Sequence, residues 1–230
     1  REYVIKQILA YVSIYDLDGI NIDFESVPTE DGDSFIQFLR ELAPPLREEG
    51  AVLSVDLFVP KPWTSHYNRD DVGKIADYVI VMGYDEHYAG SENAGSVASM
   101  NWSKIAIEDT LEEGVPKEKL ILGIPFYCRV WTETLENGKT KLGSKAYDMN
   151  GAYDFILEKG GTFTFDKETG QNYGEAKEDN KTYKVWLEDE ESIAQRLDLV
   201  LEYDIAGAGG WKRGLEKEEI WPLLKMKLKE

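Results

Sequence analysis

The chain has 230 residues, 42% of them hydrophobic, which is enough to bury the core of one large domain or two small ones. Its 44 acidic and 26 basic residues give a formal net charge of −18, which argues against a nucleic-acid partner because phosphates attract a surplus of Lys and Arg. The single cysteine, Cys128, excludes an intrachain disulfide and a cysteine-based metal site, and two histidines, His66 and His87, disfavour a histidine-rich one. No apolar run is long enough to predict a membrane span, and no signal peptide is visible at Arg1.

Helices and strands are predicted to alternate through the first part of the chain. Hydrophobic periodicity predicts helices over 1–17, 31–49, 72–76 and 104–113, and strands over 19–25, 52–59, 78–84 and 120–127. The second helix is expected to end near Pro44-Pro45 or at Gly50. Repeated strand and helix units of this kind are typical of a parallel sheet.

The alternation stops at Cys128. Turn signals and short alternating runs fill 129–190, with one helix expected over 150–158, so this segment is predicted to be a small α+β insertion. A helix over 192–203, with Ser192 at its N-cap or in its first turn, a strand over 205–211 and a helix over 216–228 follow.

The strand over 19–25 carries the polar groups that suggest chemistry. Side chains alternate along a strand, so Asn21, Asp23 and Glu25 share one face, and the two acids lie roughly 6–7 Å apart. Acidic groups on the inward face of a buried strand are costly unless they are paired or used. One of two neighbouring carboxyl groups can keep its proton and act as a general acid. The structural alternative is a half-exposed strand whose acids face water.

The segment Asp18-Gly19-Ile20-Asn21-Ile22-Asp23-Phe24-Glu25 resembles the signature Asp-Gly-x-Asp-x-Asp-x-Glu of glycoside hydrolase family 18. Three further matches follow in the family's order: Met82-Gly83-Tyr84-Asp85, Gly123-Ile124-Pro125-Phe126-Tyr127-x-Arg129, and Trp211. The segments DEHYAGS (85–91), PKEKLILGIP (116–125) and WLED (186–189) resemble the branch of spore-cortex-lytic N-acetylglucosaminidases and spore-germination hydrolases. The resemblance covers essentially the whole chain.

The resemblance implies an α/β fold, the TIM (β/α)8 barrel of family 18. Residues 1–128 and 191–230 would form the barrel part, with residues 129–190 inserted between strands 7 and 8. By the family's order, residues 1–17 would be the third helix, so strands 1–3 are expected to be lacking before Arg1. Five strands cannot close an eight-stranded barrel. The chain would then be a fragment, a proteolysed remnant, or a piece completed by another copy through the open edge.

The resemblance also implies roles for individual residues. Glu25 would be the general acid, and the substrate's own N-acetyl group would be the nucleophile, forming an oxazolinium ion. Asp23 would bind the acetamide N–H and Tyr84 its carbonyl oxygen. The remaining implied substrate contacts are Asn21, which would hold Asp23, Trp211, which would stack under a sugar, and Met82, Asp85 and Arg129. No cofactor or metal is implied.

Two positions depart from the family's pattern. Asn21 stands where the family has its central Asp, which removes one proton-sharing partner of Asp23 without implying loss of activity, because Asn also occurs there in the spore-type branch. Cys128 stands where the family usually has Gly, and we interpret it as a buried small residue rather than a redox group.

The function implied is retaining hydrolysis of β-1,4-linked N-acetylglucosamine polymers, with spore-cortex peptidoglycan as the leading substrate. A chitinase or another endo-N-acetylglucosaminidase is the alternative enzyme, and a non-catalytic sugar-binding relative is the alternative from a different class. The implied location is extracytoplasmic, at the spore coat or cortex or the cell envelope of an endospore-forming bacterium.

Overall fold

Residues 1–228, which the computed structural model describes, form ten strands and seven α-helices. In chain order they are α1 (Glu2–Tyr15), β1 (Gly19–Ile22), α2 (Gly32–Glu48), β2 (Val52–Phe58), α3 (Arg69–Ile75), β3 (Tyr78–Met82), α4 (Met100–Glu112), β4 (Leu120–Pro125), β5 (Tyr127–Glu136), β6 (Lys139–Asp148), α5 (Met149–Glu158), β7 (Thr162–Asp166), β8 (Gln171–Glu178), β9 (Lys181–Trp186), α6 (Glu190–Tyr203), β10 (Gly207–Trp211) and α7 (Ile220–Leu228). They fall into two units. The first comprises Arg1–Met82, Ile105–Leu122 and Tyr203–Gly207, and the second Gly83–Lys104, Gly123–Glu202 and the chain from Ala208 onward.

A five-stranded sheet has the order β1-β2-β3-β4-β10, with β1 at one edge. β1 pairs with β2 and β2 with β3 in parallel, as the alternating pattern predicts. Gly19 permits the close pairing at the start of β1, because a Cβ there would lie 2.6 Å from the carbonyl oxygen of Val52. The alternate residues Leu53, Val55 and Leu57 of β2 are almost completely buried, which gives the first unit its apolar core.

Helix α2 continues through Pro44 and Pro45 and ends at Glu48, so the later of the two expected ends is correct. Each proline removes a backbone donor from the helix. The helix nevertheless continues because Leu42, Ala43 and Leu46, on either side of the prolines, are buried. Burial of these side chains outweighs the missing hydrogen bonds.

Several strands are shorter than predicted. The strand expected over 19–25 ends at Ile22, the one over 78–84 ends at Met82, and the one over 120–127 ends at Pro125. Beyond Ile22 the chain turns, and Tyr67 binds the backbone of this turn on both sides of Glu25. The final strand starts at Gly207 instead of 205, and the closing helix starts at Ile220 instead of 216.

The second unit contains an antiparallel sheet with the order β6-β5-β9-β8-β7. Helix α5 packs on one face of it through Ala152 and Ile156, against a cluster that includes Cys128, Val130 and Val185. Cys128 is fully buried, which confirms its interpretation as a small core residue. Burial raises the pKa of its thiol.

Within residues 1–228, none of the helices combines the length and the apolar character that crossing a lipid bilayer requires.

Candidate active site

The signature acids lie where β1 ends. Asn21 belongs to β1, whereas Asp23 and Glu25 follow its last residue, Ile22. All three polar side chains are exposed, so the expectation that they line the inward face of a buried strand is wrong for this chain. The strand lies at the edge of its sheet, and the acids face solvent.

Tyr67 holds the turn that carries Glu25. Its hydroxyl donates to the carbonyl oxygen of Phe24 at 2.9 Å and accepts from the backbone N–H of Val27 at 3.4 Å. His66 Nε2 donates to the carbonyl oxygen of Val27 at 2.9 Å. The backbone on both sides of Glu25 is thereby fixed to one short segment after β2.

The Tyr67 hydroxyl keeps its proton under ordinary conditions. Burial raises its pKa, and the negative charges of Glu25 and Asp23 add to the shift. A protonated hydroxyl is what the bond to the Phe24 carbonyl requires. The sequence analysis did not identify Tyr67, because its partners lie about forty residues earlier in the chain.

Asn21 is held by two residues of the neighbouring strand. Its Nδ2 donates to Oδ2 of Asp56 at 2.8 Å, and its Oδ1 accepts from the Ser54 hydroxyl at 2.7 Å. Asn21 pairs with Ser54 in the parallel register of β1 and β2. The amide group of Asn21 therefore has a fixed orientation.

Asp56 is a carboxylate that the sequence analysis missed. It is half-buried on β2, between the fully buried Val55 and Leu57. Burial raises its pKa most, and the charges of Asp23 and Glu25 raise it further, while the hydrogen bond from Asn21 opposes the shift. The first unit thus brings together three carboxylates where the signature alone indicates two.

Met82 is the last residue of β3, pairs with Phe58 of β2 and is 7% exposed. Its side chain belongs to the core more than to the surface of the first unit.

In the second unit, Tyr84, Asp85 and Tyr127 form one cluster. The Tyr127 hydroxyl donates to Oδ1 of Asp85 at 2.5 Å, and the rings of Tyr84 and Tyr127 meet edge to face with centroids 6.3 Å apart. Burial raises the pKa of Tyr127, and the adjacent Asp85 carboxylate raises it further. Asp85 has φ of 55°, a left-handed conformation that Asp tolerates better than most residues.

Arg129 follows Tyr127 by two residues, and the backbone of Trp211 lies beside Phe126. Nη1 of Arg129 donates to the Ser144 hydroxyl at 3.2 Å, across the β5–β6 pair. The carbonyl oxygen of Trp211 accepts from the N–H of Phe126 at 2.7 Å, which places the end of β10 beside the residue that precedes Tyr127. The indole side chain of Trp211 is 51% exposed, so a ligand can stack against it.

A buried ion pair supports the loop that follows Asp85. Arg196 of α6 binds both carboxylate oxygens of Glu188, at 2.5 and 2.9 Å, and both side chains are fully buried. The same guanidinium donates to the carbonyl oxygen of Ala98 and to the Ser103 hydroxyl. The loop between Tyr84 and α4 is therefore attached to α6.

The described part of the chain contains no group of three or more His, Cys, Asp or Glu side chains arranged to hold a metal ion.

Comparison with known proteins decides the family. The profile "Glycosyl hydrolases family 18" matches residues 1–216. The chain belongs to glycosyl hydrolase family 18. The family resemblance drawn from the signature residues is thus confirmed.

Two relatives from Bacillus subtilis (strain 168) illustrate the match. The chain is 28% identical to "Cortical fragment-lytic enzyme" over 97% of its own length and 53% of the relative's. It is 28% identical to "Uncharacterized glycosylase YvbX" over 95% of its own length and 64% of the relative's. The chain therefore spans between about half and two thirds of these relatives.

Solved structures confirm the α/β fold of family 18. A chitinase from Chromobacterium violaceum ATCC 12472 has a TM-score of 0.87 at 25% identity, covering 98% of this chain and 71% of that one. The spore cortex-lytic enzyme SleL from Bacillus megaterium QM B1551 has a TM-score of 0.86 at 24% identity, covering 98% and 52%.

Proposed function

We propose that this chain forms the carboxyl-terminal part of a (β/α)8 barrel that hydrolyses β-1,4-linked N-acetylglucosamine polymers with retention of configuration. Residues 1–128 and 191–230 supply the barrel part, and residues 129–190 are the α+β insertion between strands 7 and 8. Spore-cortex peptidoglycan is the proposed substrate, supported by the similarity to the cortical fragment-lytic enzyme. The corresponding location is outside the cytoplasm, in the spore cortex or cell envelope.

The position of Glu25 carries the proposal. Its carboxyl group is exposed on a turn that Tyr67 binds at the residues on both sides, Phe24 and Val27. A general acid needs access to the glycosidic oxygen and a fixed backbone, and this turn provides both. Glu25 protonates the leaving oxygen in the proposed reaction.

The nucleophile in this proposal is the acetamide of the substrate. Its carbonyl oxygen attacks the anomeric carbon while the glycosidic bond breaks and the leaving oxygen takes the proton of Glu25. Asp23 accepts a hydrogen bond from the acetamide N–H, and Tyr84 donates one to the acetamide oxygen. Water then opens the oxazolinium ion and returns a proton to Glu25. Family 18 is an exception to the two-carboxylate scheme of most glycosidases.

The other residues bind or orient the substrate. Trp211 offers its half-exposed indole to the apolar face of a sugar. Asp85, Arg129 and Met82 are the further proposed substrate contacts, and Asn21 helps to hold Asp23. No cofactor takes part in the proposal.

Chitin is the alternative substrate, favoured by the similarity to the Chromobacterium violaceum chitinase. Both polymers present an N-acetylglucosamine unit to the same mechanism, so the residues of the site do not distinguish them.

Mass spectrometry of the products formed from cortex fragments and from chitin oligosaccharides tests the proposal. Wild type is expected to release shorter fragments with N-acetylglucosamine at the new reducing end, mainly from cortex material. The Glu25→Gln variant is expected to lose about 10²–10⁴-fold in turnover while oligosaccharide binding stays near wild type. The matched control is Glu30→Gln, which changes an exposed glutamate five residues further along.

Equal turnover in wild type and Glu25→Gln would overturn the assignment of the acid. Binding of oligosaccharides without cleavage by wild type would favour the non-catalytic sugar-binding alternative.

A further inference from the structure

Asp56 occupies an unusual position for a carboxylate. One of its oxygens, Oδ2, accepts the hydrogen bond from Asn21 at 2.8 Å. The other, Oδ1, is buried, and in the described part of the chain it has no hydrogen-bond partner. A buried carboxylate oxygen without a donor is unfavourable, so the position calls for an explanation beyond the pairing of two strands.

Asp23 and Asp56 follow the last residue pair of the β1–β2 ladder. Asn21 pairs with Ser54 and Ile22 with Val55, and Asp23 and Asp56 are the next residues along their two segments. The bond from Asn21 shows that the Asp56 side chain points to the face of the sheet that carries Asn21. On its other side Asp56 pairs with the apolar Ile80 of β3. The charged groups that act on Asp56 are Asp23 and Glu25.

We propose that Asp56 is a positioning residue for Asp23, and that its carboxyl group supplies from β2 the partner that Asn21 cannot supply from β1. In this arrangement Oδ1 of Asp56 carries a proton and donates it in a hydrogen bond to the Asp23 carboxylate. The two groups share one proton and one negative charge, and no proton leaves the pair during a reaction cycle. Asn21 fixes the Asp56 carboxyl group through its other oxygen.

The presence of Asp56 explains why residue 21 carries an amide instead of a carboxylate. A carboxylate at 21 would add a fourth negative group to Asp23, Glu25 and Asp56, and like charges at this distance repel. An amide instead donates to Asp56 and accepts from Ser54, so both of its ends are satisfied. Compared with the family pattern, which has an Asp at position 21, the number of carboxylates near Asp23 is unchanged, but one of them lies on β2 instead of β1.

Activity of four proteins tests this inference, which rests on the proposed function. They are wild type, Asp56→Asn, Asn21→Asp, and the double variant Asn21→Asp/Asp56→Asn, assayed for kcat, KM and the pH profile of kcat on the substrate that wild type cleaves. Asp56→Asn retains an acceptor for Asn21, so the fold is expected to persist. Its kcat is expected to fall about 10–100-fold with little change in KM, because Asp23 loses its orienting partner. The pH profile is expected to shift as well.

The double variant is the decisive comparison. Moving the carboxyl group from position 56 back to position 21 is expected to recover at least about tenfold of the kcat lost in Asp56→Asn. A merely structural Asp56 would predict an unchanged pH profile in Asp56→Asn and no recovery in the double variant. Either of those results, in protein with wild-type circular dichroism, would overturn the inference.

A second measurement does not depend on catalysis. The carboxyl ¹³C shift of Asp56 is followed by NMR during a pH titration of wild type and of Asp23→Asn. A shared proton couples the two groups, so the Asp56 midpoint is expected to change when Asp23 is replaced. An Asp56 titration that is the same in both proteins would contradict the sharing. If wild type cleaves none of the substrates, the proposed function fails, and this titration alone decides the role of Asp56.

Discussion

Three carboxylates near the end of β1 differ in how the chain holds them. Glu25 sits on a turn bound by Tyr67, Asp23 directly follows the strand, and Asp56 comes from β2 with one oxygen bound to Asn21. Glu25 is exposed, whereas Asp56 is half-buried. This difference in exposure fits the roles proposed for them, Glu25 as the acid and Asp56 as a positioning residue.

The raised pKa of Asp56 predicts how stability changes with pH. The folded protein binds the Asp56 proton more tightly than the unfolded chain does, because burial and the nearby acids disfavour the charged form. The free energy of unfolding is therefore expected to fall as pH rises from the ordinary Asp value through the raised value. Asp56→Asn lacks this decline, so its stability relative to wild type should improve from about pH 4 to about pH 7.

Urea unfolding of both proteins at the two pH values measures this effect. Asp154→Asn, which removes one exposed carboxylate from α5, is the control for the change in net charge. The same stability difference between wild type and Asp56→Asn at both pH values would contradict the prediction.

The family signature alone points to Asp23 and Glu25 in the sequence, and their catalytic roles stay predictions. It did not predict Asp56, which stands in the mostly apolar run VLSVDLFV, 35 residues after Asn21. Its partner depends on the register between two strands, and nothing within either strand specifies that register. Tyr67 was missed because its partners, Phe24 and Val27, lie about forty residues earlier in the chain.

At the scale of elements, α6 holds the loop after Asp85 through Arg196. Arg196 and Glu188 are both fully buried, and Glu188 also accepts from Gln171 and from Ser192. Ser192 lies in the first turn of α6, which was one of the two positions expected for it. The Asp189 side chain, just before the helix, accepts hydrogen bonds from the backbone N–H groups of Glu191 and Ser192. The loop geometry is thus set by side chains far along the sequence.

Replacing Arg196 by Met is expected to lower the free energy of unfolding by about 3–5 kcal/mol, because the buried Glu188 carboxyl group loses its guanidinium partner. The double variant Arg196→Met/Glu188→Leu should be more stable than Arg196→Met alone. Lys6→Ala, which breaks the exposed pair of Lys6 and Glu2, should change stability little.

Denaturant unfolding of these three variants and wild type gives the comparison. Arg196→Met within error of Lys6→Ala would show that the buried pair contributes no more than a surface one.

The seven helices and five of the ten strands within residues 1–228 were predicted within a few residues, because each has an apolar stripe of the right period. The strands β5 to β9 were predicted only as short alternating runs, and the ends of β1, β3 and β4 were placed too late. The end of β1 is followed by a tertiary contact, that of Tyr67 with the turn after the strand. Local propensity contains no information about such contacts.

At the scale of the whole molecule, apolar surface is concentrated on α1. Tyr3, Tyr11, Ile14 and Tyr15 are more than half exposed, and Tyr11 and Tyr15 stack at 5.7 Å. β1, which follows α1, is an edge strand. Exposed apolar patches and free strand edges both favour association.

We expect the 230-residue chain to self-associate with increasing concentration, through α1 and the β1 edge of a second copy. The net charge of −18 opposes association, so added salt should strengthen it. Ile14→Lys should weaken it, whereas Leu201→Lys, at an exposed leucine of α6, should not. Light scattering across a concentration series measures the mass. A monomer at every concentration and salt level would contradict this expectation.

In the proposed mechanism the substrate's acetamide is the nucleophile and Glu25 is the acid. Asp23 precedes Glu25 by only two residues, whereas direct attack by an enzyme carboxylate needs the opposite face of the sugar, with roughly 5–5.5 Å between the groups. The most direct test is ¹H NMR of the first-formed product from an N-acetylated oligosaccharide and from its counterpart lacking that acetyl group at the cleaved sugar. We expect a β-anomeric product from the first substrate and no cleavage of the second. An α-anomeric first product, or efficient cleavage of the de-N-acetylated substrate, would contradict it.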